Sequence, residues 1–166
     1  MADKYFIGIY WGNRKDDLLD CVDKVKATLD FLRSVDESFA AWYKTSRPRK
    51  GETLVPIDTS WEGVKSLLLK GRNYNDIGEL LKDLGYLVHL KSEKDYSKAH
   101  VFSITCGSYF EKVSNNVGLS IGKNDAYEYL HHEDVLEKIF NRFVDIWKPE
   151  NGIVRCNDNE LIAMTF

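Results

Sequence analysis

The most constraining feature of the sequence is a regular stripe of leucine and valine near its start. These residues recur at steps of four, three, four and three: Leu18, Val22, Val25, Leu29 and Leu32. Because this spacing follows the 3.6-residue turn, it predicts a long helix with one apolar face, and Asn13 is the expected N-cap. A face of this width packs on a β-sheet, so the rest of the chain is expected to supply one.

The segment that precedes this helix has the pattern of an inner strand. In residues 5–11, apolar and aromatic side chains occupy both faces of the chain, which is typical of a strand with neighbours on both sides. Strand-like patterns recur in five later segments: 86–90, 102–106, 117–121, 152–156 and 160–165. Polar turns separate the first three of these. The sequence therefore predicts a mostly antiparallel sheet of five or six strands.

Two four-residue capping boxes predict shorter helices in the middle of the chain. The box at 34–37 predicts a short helix, and the box at 59–62 predicts another that ends at Gly71. The first of these helices is expected to carry three aromatic residues: Phe39, Trp42 and Tyr43. A further helix is expected over 76–84, closed by Gly85.

The C-terminal part of the chain contains one more long helix. Its apolar residues share one face: Val135, Leu136, Ile139, Phe140, Phe143, Ile146 and Trp147. Pro149 ends this helix, because the residue before a proline avoids the helical region. With 166 residues, no linker and no internal repeat, the sequence predicts one α+β domain spanning 1–166, with both long helices packed on the sheet.

Composition and charge exclude several classes of protein. Hydrophobic residues make up 43% and charged residues 30% of the chain, which excludes a disordered or low-complexity protein. The net charge of −3 argues against a surface built for nucleic acid or anionic membranes. No apolar run approaches the ~20 residues needed to cross a bilayer. We therefore expect a cytoplasmic protein with no membrane contact and no direct nucleic-acid binding, and the sequence leaves a homodimer open.

Potential catalytic and metal-binding residues are sparse. One run combines two histidines and two acids: His131, His132, Glu133 and Asp134. Adjacent histidines point about 100° apart on a helix, so a polar helix start explains this run better than a metal site. Cys106 is a candidate nucleophile with His100 or His89 as its base, although its strand position predicts an inert, buried thiol. We expect no catalytic residue, metal ion or cofactor, and a small enzyme or metal-dependent protein is the alternative.

A basic segment at 44–50 offers a further alternative. It contains four cationic residues: Lys44, Arg47, Arg49 and Lys50. These side chains suit phosphate contacts, and Trp42 and Tyr43 beside them suit stacking on bases. Against this, the two aromatic residues lie at helical spacing typical of packing residues, and four charges in a loop are usually solvated. A nucleic-acid-binding module is therefore the weaker alternative.

Three segments, in one order along the chain, carry a resemblance to a known family. They are YFIGIYWGNR at 5–14, FAAWYKTS at 39–46 and IWKPENGIVR at 146–155. Together they resemble the immunity protein 52 family of bacterial polymorphic toxin systems. The residues that carry the resemblance are Trp11, Gly12, Arg14, Trp42, Trp147 and Pro149. We expect these residues to be mainly architectural.

The resemblance implies an α+β protein whose gene lies next to that of a secreted toxin. It implies that the protein protects the producing cell by binding this cognate toxin and blocking its active or substrate-binding surface. The family is associated with toxins of a restriction-endonuclease-like fold, so the implied partner is a nuclease. Residues 70–115 contribute no matching segment, which leaves the interface open.

A stripe of aspartates predicts where such a toxin binds. Four of them recur at steps of four, three and seven: Asp16, Asp20, Asp23 and Asp30. This spacing places them opposite the apolar face of the first predicted helix, where like charges do not stabilise the helix itself. A solvated helix face is one interpretation. The other is a toxin-binding surface, with Asp17 and Glu37 at its margins, that complements the positively charged cleft of a nuclease.

Overall fold

The computed structural model describes residues 3–45, 50–51 and 53–166, and every strand in this part of the chain belongs to one sheet. In chain order the elements are β1 (Tyr5–Trp11), α1 (Leu18–Val35), β2 (Tyr43–Lys44), α2 (Trp61–Lys70), β3 (Tyr86–Lys91), β4 (Val101–Cys106), β5 (Asn115–Ser120), α3 (Glu133–Trp147), β6 (Asn151–Cys156) and β7 (Asn159–Thr165). Short 3-10 turns lie at Glu37–Phe39, Lys82–Leu84 and Asp125–His131. The predicted α+β class is confirmed.

The sheet has the strand order β2-β3-β4-β5-β1-β6-β7, and all neighbouring strands are antiparallel. The prediction that 5–11 forms an inner strand is confirmed, because β1 lies between β5 and β6. The other five predicted strands are present as well. The seventh strand, β2, corrects two predictions: Tyr43 is expected in a helix and Lys44 in a loop, but they pair with Lys91 and Leu90 at the edge of the sheet.

The helices cover one face of this sheet and leave the other face free of helices. Side chains such as Ile7, Ile9 and Phe102 point toward the helices and are fully buried. On the other face, the Phe6 ring lies over Gly8, where an added Cβ atom would lie 2.6 Å from the ring. A larger residue at this position would require the Phe6 ring to shift.

The start of α1 differs from its prediction. The N-cap is Asp17 rather than Asn13, and its side chain accepts a hydrogen bond of 2.9 Å from the backbone N–H of Asp20. The residues before Asp17 are held elsewhere, since the backbone N–H of Arg14 donates to the carbonyl of Ser108. Because Arg14 is bonded to Ser108, which is distant in sequence, the N-cap of α1 lies four residues later than predicted.

The capping box at 34–37 does not begin a helix. Ser34 lies within α1, and Asp36 caps only the 3-10 turn at Glu37–Phe39, where its side chain accepts from the N–H of Ser38. Trp42 follows outside any helix. The second box, at 59–62, predicts the start of α2 one residue too early, because the N-cap of this helix is Ser60. The predicted end of that helix at Gly71 is confirmed.

The helix predicted over 76–84 is wrong, because a side chain competes with the helix for the backbone donors. The Asn75 side chain accepts hydrogen bonds from the N–H groups of Ile77 and Glu79, which closes a turn instead. Gly78 follows in the left-handed region with φ of 82°. Only Lys82–Leu84 forms a 3-10 turn, and Gly85 ends it.

We expect Trp147→Ala to lower the free energy of unfolding by about 3–5 kcal/mol. Trp147 is fully buried, and its Nε1 donates to Thr28 Oγ1 at 3.0 Å, so the truncation leaves a cavity and removes this buried hydrogen bond. Urea unfolding measures the loss. Trp61→Ala is the matched control at a half-buried tryptophan and should cost clearly less. Equal losses in the two variants would contradict the packing described here.

Candidate functional site

Four of the six residues that carry the family resemblance lie close together where β1 leaves the sheet and α3 ends. The rings of Trp11 and Trp147 stack with centroids 5.4 Å apart, and both are buried. The Arg14 guanidinium lies over the Trp11 ring at 4.9 Å. Pro149 is buried next to the last turn of α3. These contacts join residues more than 130 positions apart.

Arg14 is the centre of this cluster. Its Nη2 donates to the carbonyl of Trp147 at 2.9 Å, and its Nη1 donates to the carbonyl of Lys148 at 3.1 Å. Its Nε donates to Asp16 Oδ2 at 3.0 Å. The guanidinium therefore caps the C-terminal end of α3, where positive charge is favourable.

The two remaining motif residues have separate surroundings. Gly12 donates its N–H to Glu150 Oε1 at 3.2 Å, and its carbonyl accepts from Asn115 Nδ2 at 2.8 Å. Trp42 stacks on Phe39 and lies against Phe102 at the other end of the core. All these contacts are packing and positioning contacts, and an architectural role for the motif stays a prediction.

The structure removes Asp16 from the predicted aspartate stripe. This residue lies before α1, and its carboxylate is paired with Arg14 at 3.0 Å and Lys24 at 3.4 Å. Only 11% of its side chain is exposed. The four-residue step to Asp20 matched helical spacing by coincidence, because the chain is not helical at Asp16.

The other five acidic residues are exposed. Asp20, Asp23 and Asp30 lie on the outward face of α1, Asp17 is its N-cap, and Glu37 lies in the 3-10 turn that follows. Asp23 accepts from Trp61 Nε1 at 2.8 Å, and Asp30 pairs with Lys26. The outward stripe therefore consists of three aspartates, of which two already have partners in the chain.

His100 is buried and held in one tautomer. Its Nδ1 accepts a hydrogen bond of 2.8 Å from the backbone N–H of Gly122, so the proton of the neutral ring lies on Nε2. That nitrogen is 2.9 Å from Ser38 Oγ and donates to it. His100 therefore has no free lone pair with which to activate Ser38, and burial lowers its pKa to about 4.

Cys106 is not paired with either candidate base. His100 precedes β4 and Cys106 ends it, which separates them by about 20 Å at the rise of a strand. His89 lies on the helix-free face, whereas Cys106 is buried on the helix-covered one. A hydrogen bond with Cys21, together with burial, raises the pKa of the Cys106 thiol. The prediction of a buried, inert thiol fits this environment.

The run at 131–134 is a helix start. His131 stacks on the Tyr5 ring at 4.6 Å, and His132 is the N-cap of α3. Within the described part of the chain, no three His, Cys, Asp or Glu side chains are grouped so that they could hold a metal ion.

Part of the basic segment lies outside the described residues, including Arg47 and Arg49. Lys44 and Lys50 are exposed. Trp42 is fully packed between core rings, so it is not available to stack on a base.

A surface groove of about 400 Å³ was not predicted from the sequence. It lies between the start of α1 and the loops at 72–86 and 107–109. Its apolar and aromatic lining consists of Leu18, Leu80, Leu81, Tyr86 and Tyr109. Its charged lining consists of Lys15, Asp16, Asp17, Arg72 and Lys82. The groove arises from tertiary packing, so no local sequence pattern marks it.

A comparison with known protein families covers nearly the whole chain. Residues 3–164 match the profile of Immunity protein 52, which covers nearly the whole chain. The chain belongs to the immunity protein 52 family. No curated protein matches it significantly. Among the described residues, no helix is long and apolar enough to cross a membrane.

A solved structure shares the fold. The Pseudomonas aeruginosa T6SS protein PA0821 is similar with a TM-score of 0.57 and 15% sequence identity. The match covers 93% of this chain and 40% of that protein, so this chain spans less than half its length. At this identity, the comparison supports the architecture alone.

We expect Arg14→Lys to lower the free energy of unfolding by about 1–2 kcal/mol, because an ammonium cannot reproduce the three directed guanidinium bonds. Arg142→Lys, an exposed site on α3, is the matched control and should change stability little. Chemical denaturation compares the two. A cost no larger than that of the control would show that Arg14 does not hold α3.

Acid should destabilise the fold through His100. Its folded pKa of about 4 lies below the value of about 6.5 in an unfolded chain, so the fold binds the proton more weakly. The resulting stability is present above pH 6.5 and is lost as the pH falls toward 4. We expect His100 to account for about 2 kcal/mol of loss between pH 7 and pH 5.

The His100→Gln variant has no titrating side chain at position 100, so its pH dependence of stability reports the contribution of all other groups. Urea unfolding of both proteins at several pH values isolates the contribution of His100. Parallel pH profiles would contradict a buried neutral ring.

Proposed function

We propose that this protein neutralises a cognate toxin, encoded by a neighbouring gene, by binding it in the cytoplasm of the producing cell. The family match over residues 3–164 carries this proposal, because it spans all the elements of the fold. The environments of His100 and Cys106 also support binding rather than catalysis, since neither side chain is activated.

We propose further that the toxin is a nuclease of restriction-endonuclease-like fold and that its active or substrate-binding surface is covered. The exposed aspartates of α1 support this part of the proposal. A nuclease cleft that binds phosphates is positively charged, and an acidic surface on the inhibitor speeds association and favours the correct partner.

Charge reversal on α1 tests the acidic surface. Asp16 and Asp23 are left unchanged, because they bond to Arg14 and Trp61 outside α1. The partner of Asp30 is Lys26 on α1 itself, so replacing Asp30 breaks no contact between elements. The test variant is therefore Asp20→Lys/Asp30→Lys. We expect association with the toxin domain from the neighbouring gene to slow about tenfold or more at low salt, and the difference to shrink at high salt.

Asp134→Lys/Asp145→Lys is the matched control. It changes the net charge equally on the exposed face of α3. Circular dichroism first establishes that both variants fold, and stopped-flow association with the toxin then compares them. Equal slowing in both variants would assign the effect to net charge. Equal binding of parent and test variant at every salt concentration would remove α1 from the interface.

A further inference from the structure

The loop at 73–81, here called the tip loop, presents an apolar side chain to solvent. Ile77 lies at its turn and is 80% exposed, which is more than any other large hydrophobic residue in the described part of the chain. Tyr74, in the same loop, is about half exposed. Single exposed apolar residues are common, so the case for a role depends on how the loop is built and charged.

Hydrogen bonds hold the tip loop in one shape. Asn75 Oδ1 accepts from the backbone N–H groups of Ile77 at 3.1 Å and Glu79 at 2.8 Å. Asn75 Nδ2 donates to Glu79 Oε2 at 2.9 Å. At the base of the loop, the N–H of Leu81 donates to the carbonyl of Asn73 at 2.9 Å. A loop already ordered in this way loses little conformational entropy when a partner binds it.

A second loop is bonded to the 3-10 turn that directly follows the tip loop. The N–H groups of Tyr109 and Phe110 donate to the carbonyl of Asp83 at 3.0 and 3.1 Å. Both aromatic side chains are more than one-third exposed. Tyr109 also lines the groove together with Leu80, at the end of the tip loop. Exposed apolar and aromatic groups from two connected loops therefore occupy one end of the molecule.

The charges of the tip loop are all negative. Asp76 and Glu79 lie on either side of Ile77, and residues 73–81 contain no lysine or arginine. The neighbouring cations, Arg72 and Lys82, lie outside the loop at the groove. A projecting loop with an apolar tip between two carboxylates complements a recessed surface that is apolar at its floor and basic at its rim.

We propose that the tip loop inserts into a basic cleft of the cognate toxin, with Ile77 as its apolar anchor and Asp76 and Glu79 facing the cationic rim. This inference depends on the proposed toxin-binding function and names the element that carries it. It also places part of the interface in the segment 70–115, which contains none of the three motif segments of the sequence analysis.

Two variants test the loop against the purified toxin domain encoded by the neighbouring gene. Ile77→Arg replaces the anchor with a cation, and we expect the Kd for the toxin domain to rise at least about 30-fold. Asp76→Lys reverses one charge at the rim, and we expect association to slow about tenfold at low salt and less at high salt. Because both side chains are exposed, the Tm of each variant should equal that of the parent.

Val55→Arg is the matched control, since Val55 is an apolar residue 66% exposed on a different loop. Its Kd should stay within twofold of the parent value. If Ile77→Arg binds as the parent does, the tip loop is not the anchor and toxin binding itself stands. If Val55→Arg weakens binding as much as Ile77→Arg, added positive charge explains the effect and the proposal fails. If the parent does not bind the toxin domain, the proposed function fails and the tip loop's role fails with it.

Discussion

Arg14 makes the contact on which the arrangement of the two chain ends depends. Its guanidinium donates to the last carbonyls of α3 and to Asp16, just ahead of α1. Three directed charge-assisted bonds fix angles as well as distances, which a point charge cannot do. The exit of β1, the entry to α1 and the end of α3 are therefore held at one place, and the stacked rings of Trp11 and Trp147 exclude water from it.

This construction separates the rigid part of the molecule from the part available to a partner. The rigid part consists of side chains buried in the core: Trp11, Trp147, the sheet residues that face the helices, and the neutral His100. The tip loop lies away from them and is ordered by its own asparagine. Its surface residues can consequently change without loss of core contacts, as long as Asn75 and Gly78 maintain the turn.

The parts of the fold that could be predicted from sequence are those with a repeating pattern. The structure contains the two long helices, α1 and α3, and the six strands that these patterns predicted. Such patterns are reliable because the burial of a whole face outweighs the preferences of single residues. Capping signals were less reliable. Asp36 and Asn75 offer the same side-chain oxygen that begins a helix, but here it closes a turn. Local sequence does not distinguish the two outcomes.

The candidate site was only partly predictable for a related reason. Asp20, Asp23 and Asp30 face outward as their spacing predicted, whereas Asp16 does not, because its position depends on Arg14. The groove and the tip loop bring together residues from α1 and from two loops that are distant in sequence. Such neighbours become visible only once the sheet has fixed where each loop emerges.

The central place of β1 has a consequence for the timing of biosynthesis. Tyr5 pairs with Cys156 and Tyr10 with Asn151, so β1 is translated long before β6 and lacks one of its partners until β6 follows. At about 5–20 residues per second, that interval lasts roughly 7–30 seconds. During this interval, at least one edge of the aromatic strand β1 has no neighbouring strand. The sheet of any molecule therefore cannot be completed until β6 and β7 have been translated.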